Sequence, residues 1–550
     1  MDSLNMAVSQ WREYVPRWTE CMFMFTQETY LFTATIMALL GTTIFIWKLI
    51  SGPSHDSREP PLIKPTIPLF GHVLGMVTQR MSYFSTIYER HKVPIATLPF
   101  PGKANIYVIF SAHMQQIAMR SSSMVANERT VELIPRLFGV KKKTLLAWLG
   151  RDGIHEDMTP SMVKLFGSTL TGDSLNDMTL KSLDEISDIL NGIGETGLHI
   201  DNLFMWLRYH VSHAVSVAMF GKRHNPYGNS TEVIDGQWDF EADLGPLVLG
   251  FLPAIMARRG YLGRAKVHEA LRPYYEGNHD EEDEVSDLVK ARGQLFRKWD
   301  TPVDQLCKNE ISIMLASTTN TVPTMFWYIA HVWTTPGLVE ELRAEVAPTI
   351  PCLLGPDGIR KTPPPGTKEI TINFTKLDPN CPLLASCYRE VIRLASQILT
   401  FRRVDTDMVI KDSDGTSYLL KAGNDVIIPA KVVHRNRDTW GQDAEGFNPR
   451  RFLPDPSGNR EIDKLRKISF VPFGGGRHYC PGRNFASSEN VSVMAALVLG
   501  FEVEGLDKDN LRMEDSKMGQ AAKPVAGHEG GPCVIRRRRG WEHVEWKFAK

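Results

Sequence analysis

The chain lacks a cysteine framework. Its seven cysteines, Cys21, Cys307, Cys352, Cys381, Cys387, Cys480 and Cys533, are odd in number and nowhere spaced Cys-x-x-Cys. That pattern argues against a disulfide scaffold and against a zinc site built from such pairs. Net charge is lacking too: 63 basic residues balance 63 acidic ones, which gives no argument for a nucleic-acid partner. No internal repeat and no long Gly/Ser linker divides the chain after residue 65, so its 550 residues show no domain boundary there despite a length that ordinarily implies several domains.

Long apolar runs are scarce, and the one at the N-terminus stands out. Thr29 to Trp47 is nineteen residues without a charge, and at about 1.5 Å per residue it approaches the hydrocarbon thickness of a bilayer. A removable signal peptide would start basic and carry a shorter apolar core. Lys48, Arg58 and Lys64 follow, interleaved with Pro60, Pro61 and Pro65, as expected of a stiff linker on the cytosolic side. We read residues 1–28 as a short lumenal tail, 29–48 as a transmembrane anchor, 49–65 as a Pro-rich linker and 66–550 as the main domain. The bland alternative for 29–48 is a buried core helix.

Glycine is concentrated where it carries most meaning, in Phe473-Gly474-Gly475-Gly476-Arg477-His478-Tyr479-Cys480-Pro481-Gly482-Arg483. This run lifts Cys480 onto a loop ahead of a helix predicted from about Asn484 to Leu499. The helix N-terminus would favour an ionised sulfur, and the turn at Pro481 and Gly482 would let amides hydrogen-bond it. A thiolate so placed is a ready iron ligand, whereas a lone cysteine is by default a small buried hydrophobe. Upstream, Glu390 and Arg393 share one helix face at i, i+3. With Arg451 they would be costly to bury singly, so we read the three as a paired structural cluster.

These runs resemble the signatures of the cytochrome P450 family. Phe473, Gly476, His478, Cys480 and Gly482 fill the heme-loop pattern, Glu390-Val391-Ile392-Arg393 the Glu-x-x-Arg, and Phe447-Asn448-Pro449-Arg450-Arg451-Phe452 the Phe-x-Pro-x-Arg-Phe, all in the family's order. The resemblance runs from about Pro65 to the C-terminus. It implies one large, mostly α domain with a small β region (α+β), heme b (iron protoporphyrin IX) as cofactor, and Cys480 as the axial ligand of its iron. It further implies propionate contacts from His478 and from Arg402 or Arg403, and contact of Ser396 to Thr400 with substrate. Trp148-Leu149-Gly150-Arg151 has the wrong spacing for the family's Trp-x-x-x-Arg and is left unassigned. By the same resemblance, Met81 to Lys92 and Ile106 to Phe110, preceded by the turn Pro101-Gly102-Lys103, are the first helix and strand.

Asp304 to Trp333 resembles the long helix over the distal heme face, with Thr319, Asn320 and Thr321 at its oxygen groove. The usual acid and main threonine, which relay protons in oxygen activation, are replaced by Thr319 and Asn320. Pro323 is expected to kink that helix. The Asn-x-x-Pro form is similar to a branch holding sterol 7α- and 12α-hydroxylases and prostacyclin synthase, so both hydroxylation and reductant-free rearrangement stay open. Asn320 as a merely satisfied polar residue is the bland reading. The leading expectation is a monooxygenase of the endoplasmic reticulum membrane, single-pass with a cytosolic domain. Its partners would be a hydrophobic small molecule (sterol, terpenoid or polycyclic secondary metabolite), NADPH-cytochrome P450 reductase and membrane lipid. The alternatives are a heme isomerase or dehydratase and a non-enzymatic heme sensor. The acidic run Asp280 to Glu284 reads as a solvated loop. Lys141 to Lys143 and Arg536 to Arg539 read as solvated loops or strand ends.

Overall fold

Helix boundaries follow local capping chemistry. The computed structural model describes residues 34–43 and 55–550, apart from 66, 68–70, 101–104, 126–129, 229–230, 357, 455–457 and 517–518. Ten helices build the site: α1 (Thr159–Thr169), α2 (Gly172–Asn191), α3 (Leu203–Phe220), α4 (Thr231–Ala242), α5 (Arg258–Glu276), α6 (Asp287–Lys298), α7 (Val303–Thr318), α8 (Thr321–Thr334), α9 (Pro382–Ala395) and α10 (Arg483–Gly500). α9 opens on Pro382 and α1 has Pro160 as its second residue, where a missing N–H costs nothing in a first turn. Asn202 caps α3 by accepting the Met205 N–H, and Ser286 caps α6 by accepting that of Val289. α4 and α5 meet backbone to backbone, since a Cβ on Gly236 would stand 3.0 Å from the Gly263 carbonyl oxygen. This pair packs on α7.

A five-stranded sheet flanks the helices, made of β1 (Ile95–Leu98), β2 (Ile106–Ile109), β3 (Met124–Val125), β4 (Leu399–Val404) and β5 (Asp425–Pro429) in the order β1-β2-β5-β4-β3. Only the β2–β5 pairing is parallel, with Val426 opposite Tyr107; β5 and β4 run antiparallel with Val426 opposite Arg402. One large apolar core fills the helical body, and two smaller ones lie against the sheet.

The helix predicted over Met81 to Lys92 occupies Ser82–His91, and the strand over Ile106 to Phe110 occupies Ile106–Ile109. The turn at Pro101-Gly102-Lys103 lies outside the described residues. Three expectations need correcting. The helix expected over Asp304 to Trp333 is two helices, broken at Thr319–Asn320. Ser317, Thr318, Thr319 and Thr324 each turn a hydroxyl back onto the carbonyl four residues earlier, which competes with the helical ladder. Pro323 then sits in the first turn of α8, where an N–H needs no helical partner. Nor is the acidic run wholly solvated: Asp280 is fully buried and paired with Arg297 at 2.8 Å. Finally, the end of the expected linker is docked on the sheet, Ile63 N–H donating to Thr97 O and Tyr107 O–H to the buried Glu59.

Of the expected anchor, only residues 34–43 are described; they are helical and exposed. Among the described residues no helix is long and apolar enough to cross a membrane. Arg537 and Arg538 tie the end of their strand to Leu190, Asn191, Ile193, Leu499 and Val544 carbonyls, a structural use of that basic run.

Candidate active site

The glycine loop closes onto itself before α10 begins. Cys480 N–H donates to Phe473 O at 3.0 Å, and Phe473 meets Tyr479 edge to face. Gly476 has φ 63°, and a Cβ there would collide with the Met119 carbonyl, so no other residue fits the turn. Beneath the sulfur, a Cβ on Gly482 would stand 4.0 Å from Cys480 Sγ. Burial pushes the Cys480 thiol up, opposed by the backbone N–H groups of Gly482 and Arg483 and by the Arg483 charge. The helix-terminus field foreseen from sequence is therefore present, yet burial outweighs it.

Across from the loop lies the break between α7 and α8. A cavity of about 220 Å³ separates them, walled by Phe166 of α1 and Leu170 just after it, Ile313, Ala316, Asn320, Thr321 and Thr324 of the broken helix, and Phe473, Cys480 and Phe485 of the loop side. Ser396 and Ile398 of the segment singled out in the sequence also line it. No carboxylate, imidazole or ammonium is among its lining residues. Asn320 faces it with Oδ1 accepting the Ala521 N–H at 2.9 Å, leaving the amide NH₂ as a donor. Thr321 lines it as well. Thr319 does not: it is 3% exposed and its hydroxyl is spent on Leu315 O, a correction to its expected catalytic place.

Glu390, Arg393 and Arg451 meet in full burial. Glu390 Oε2 is 2.7 Å from Arg393 Nε and its Oε1 2.9 Å from Arg451 Nε. The spare guanidinium donors go to the carbonyls of His434, Ala444, Trp440 and Asp443. His434 went unnoticed in the sequence, because no motif surrounds it. It links this cluster to the loop: its carbonyl accepts from Arg393 and its Nε2 accepts the Val471 N–H at 3.0 Å. Burial and the neighbouring Arg393 push its pKa down to about 3, so it stays neutral and can accept. Ala521 and Ala522, also unforeseen, tie the distal wall together: Trp327 Nε1 donates to Ala522 O, and Ala522 N–H to Ala395 O.

Does this cradle fit a heme? Three features say that it does. The sulfur faces an apolar slot with amide donors behind it, Gly475 and Gly476 let the loop pack directly against Met119, and Arg402 is a buried cation short of an anion. Arg402 is 8% exposed, burial lowers its pKa, and its only side-chain bond among the described residues runs to Phe401 O. Arg402 shares a strand face with Thr400, whose Oγ1 lies 3.9 Å from where a Cβ on Gly474 would stand. Arg403 points to the opposite face. His478 is exposed in the short turn Gly476–His478. Trp148 is committed elsewhere, donating to Thr301 Oγ1.

Comparison with known proteins agrees with this geometry. The cytochrome P450 family model matches residues 302–528. A cytochrome P450 monooxygenase of Gibberella zeae is 31% identical over 507 residues, covering 90% of this chain and 92% of the relative. The human 7-alpha-hydroxycholest-4-en-3-one 12-alpha-hydroxylase is 24% identical, covering 82% and 87%. Among solved structures, retinoic acid bound cyanobacterial CYP120A1 superposes with a TM-score of 0.65 at 16% identity, over 88% of this chain and all of that one. The chain thus belongs to the cytochrome P450 family, and is an oxidoreductase built around heme b.

Proposed function

We propose that this protein inserts one oxygen atom of O₂ into a hydrophobic polycyclic molecule of the sterol or terpenoid class. The second oxygen leaves as water, using two electrons from NADPH through a separate NADPH-cytochrome P450 reductase. Bound heme b supplies the iron chemistry of oxygen activation. The observation that carries the reading is that Cys480 and Asn320 line one apolar cavity. Cys480 holds the iron through its thiolate and Arg402 answers a propionate. His478 offers a second such contact, and Phe473, Gly476 and Gly482 shape the slot. Asn320, fixed by Ala521, turns its NH₂ towards the cavity, where it orders water beside Thr321. The likeness to a hydroxylase of a sterol-type substrate supports the substrate class.

A second reading, rearrangement of a substrate that already carries an activated oxygen bond, draws support from the absence of any acid among the lining residues. Incubating membranes with sterol and terpenoid candidates, with and without NADPH and reductase, separates the two. Product that forms without NADPH overturns the monooxygenase reading.

We further place the protein on the endoplasmic reticulum membrane through residues 29–48, with the catalytic domain in the cytosol. An exposed apolar patch at Leu249, Phe251, Ile255 and Met256 gives it a second contact with lipid.

A further inference from the structure

We propose that His224, His279 and Glu282 form a site for a divalent ion of the zinc class, clipping together the two connections that flank the α4–α5 pair. His224 lies in the segment leading into α4, while His279 and Glu282 lie in the one leaving α5. The three offer one donor atom each, all within 4.8 Å of one another. Glu282 Oε1 is 2.7 Å from His279 Nδ1 and 3.6 Å from His224 Nε2. Ligand atoms held tetrahedrally at about 2.0–2.1 Å from zinc stand about 3.3 Å apart, so an ion would replace the His279–Glu282 hydrogen bond and require one imidazole to turn. The imidazoles stack without an ion, 3.7 Å between centroids and 13° between planes, so both nitrogens are close but one ring must rotate before the two can share an ion. Two imidazoles and a carboxylate suit zinc, nickel or copper rather than calcium or magnesium, which take oxygen ligands.

The surroundings hold the donors in place. Glu284 accepts the N–H groups of Lys222 and Arg223, so the residues before His224 are bound to the loop that carries the other two donors. Asp280, next to His279, is fully buried and bonded to Arg297. The site is nonetheless reachable, with side-chain exposures of 39%, 29% and 30% for His224, His279 and Glu282. Three protein ligands leave a fourth position for water. Since α4 and α5 ride on α7, whose C-terminal end lines the cavity, a bound ion would damp opening of that pair at both of its connections.

The test uses the full-length heme-loaded protein in detergent, dialysed against a chelator and titrated with Zn²⁺. Calorimetry and elemental analysis should find one more ion per chain than in the His224→Ala/His279→Ala double variant. Glu282→Gln should weaken binding at least about tenfold, comparable with or beyond the loss of an outer partner of a metal. Amide hydrogen exchange in residues 221–228 and 277–286 should slow with Zn²⁺ only in the unaltered protein. An unchanged thiolate-type spectrum certifies folding of each variant. Equal Zn²⁺ uptake by parent and double variant, or no uptake by the parent at tens of micromolar, overturns the site. Binding without slowed exchange overturns the clip.

Discussion

Asn320 is tethered before it can act. Its Oδ1 is held by the Ala521 amide, so the side chain is fixed and its NH₂ is left as the donor. Asn320→Ala should leave substrate binding within about twofold but divert reducing equivalents to peroxide, lowering product per NADPH several-fold, as expected when a positioned donor worth about 1–3 kcal/mol is lost. Simultaneous measurement of NADPH, product and peroxide checks this; unchanged coupling refutes it. Cys480 is the sharper case. Cys480→Ala should yield apoprotein, or a heme whose reduced carbon monoxide complex lacks the thiolate-type Soret band. Persistence of that band would show that another ligand holds the iron. Cys480 was legible in the sequence because its glycines have a single steric reason to be there. The Asn320–Ala521 bond was not, since 201 residues separate its ends and no local pattern records it. Thr319 was misplaced for a similar reason: facing direction depends on where the helix breaks, and that is decided by several hydroxyls and Pro323 together.

At the scale of elements, the Glu390 cluster joins α9 to the segment from His434 to Arg451, and His434 passes the connection on to the strand-like residues before the cysteine loop. Removing one partner strands a buried charge at a cost of about 3–5 kcal/mol. Arg393→Ala should therefore give little heme-loaded protein, and what is recovered should melt well below the parent in a thermal scan. A fully loaded, stable but inactive variant would instead assign Arg393 to turnover. Helices were legible where a motif or an apolar run marked them, as with Glu390 and Arg393 sharing a face of α9 and the apolar run of α10 behind the glycines. The tertiary path through His434 was not, because a buried neutral histidine leaves no mark on local periodicity.

For the whole molecule, acid sensitivity follows from three histidines held away from water, His434 fully buried and His268 and His331 partly so. Burial holds His434 and His268 down to about 3 and His331 to about 4. Unfolded histidine titrates near 6.5, so from there down to about 3–4 the unfolded chain binds more protons and stability falls with pH. Each residue can contribute up to about 1.4 kcal/mol per pH unit. Glu489 acts oppositely. Buried with a pKa of about 7, it keeps its proton in the fold and favours the folded state as pH drops from about 7 to 4.5, so Glu489→Gln should steepen the acid loss. Denaturant midpoints measured from pH 7.5 to 4.5 check both; a flat profile in the parent contradicts the histidine assignment.

The proposed membrane attachment would likewise be shared across the molecule. The connection between α4 and α5 carries Leu249, Phe251, Ile255 and Met256 at 62–75% exposure, an apolar cluster that a water-facing surface would not keep without a partner. Exposed apolar residues also occur singly, as Ile154 does at 83% between Asp152 and His155, and need no such explanation. The two cases predict different behaviour. Deleting residues 1–48 should release only part of the protein from microsomes, because the patch still enters the headgroup region. Adding Phe251→Asp and Ile255→Asp should then release nearly all of it, at unchanged heme content, whereas Ile154→Asp should not. Complete release by the deletion alone, or retention of the doubly substituted form, would show that the patch has no part in holding the domain to lipid.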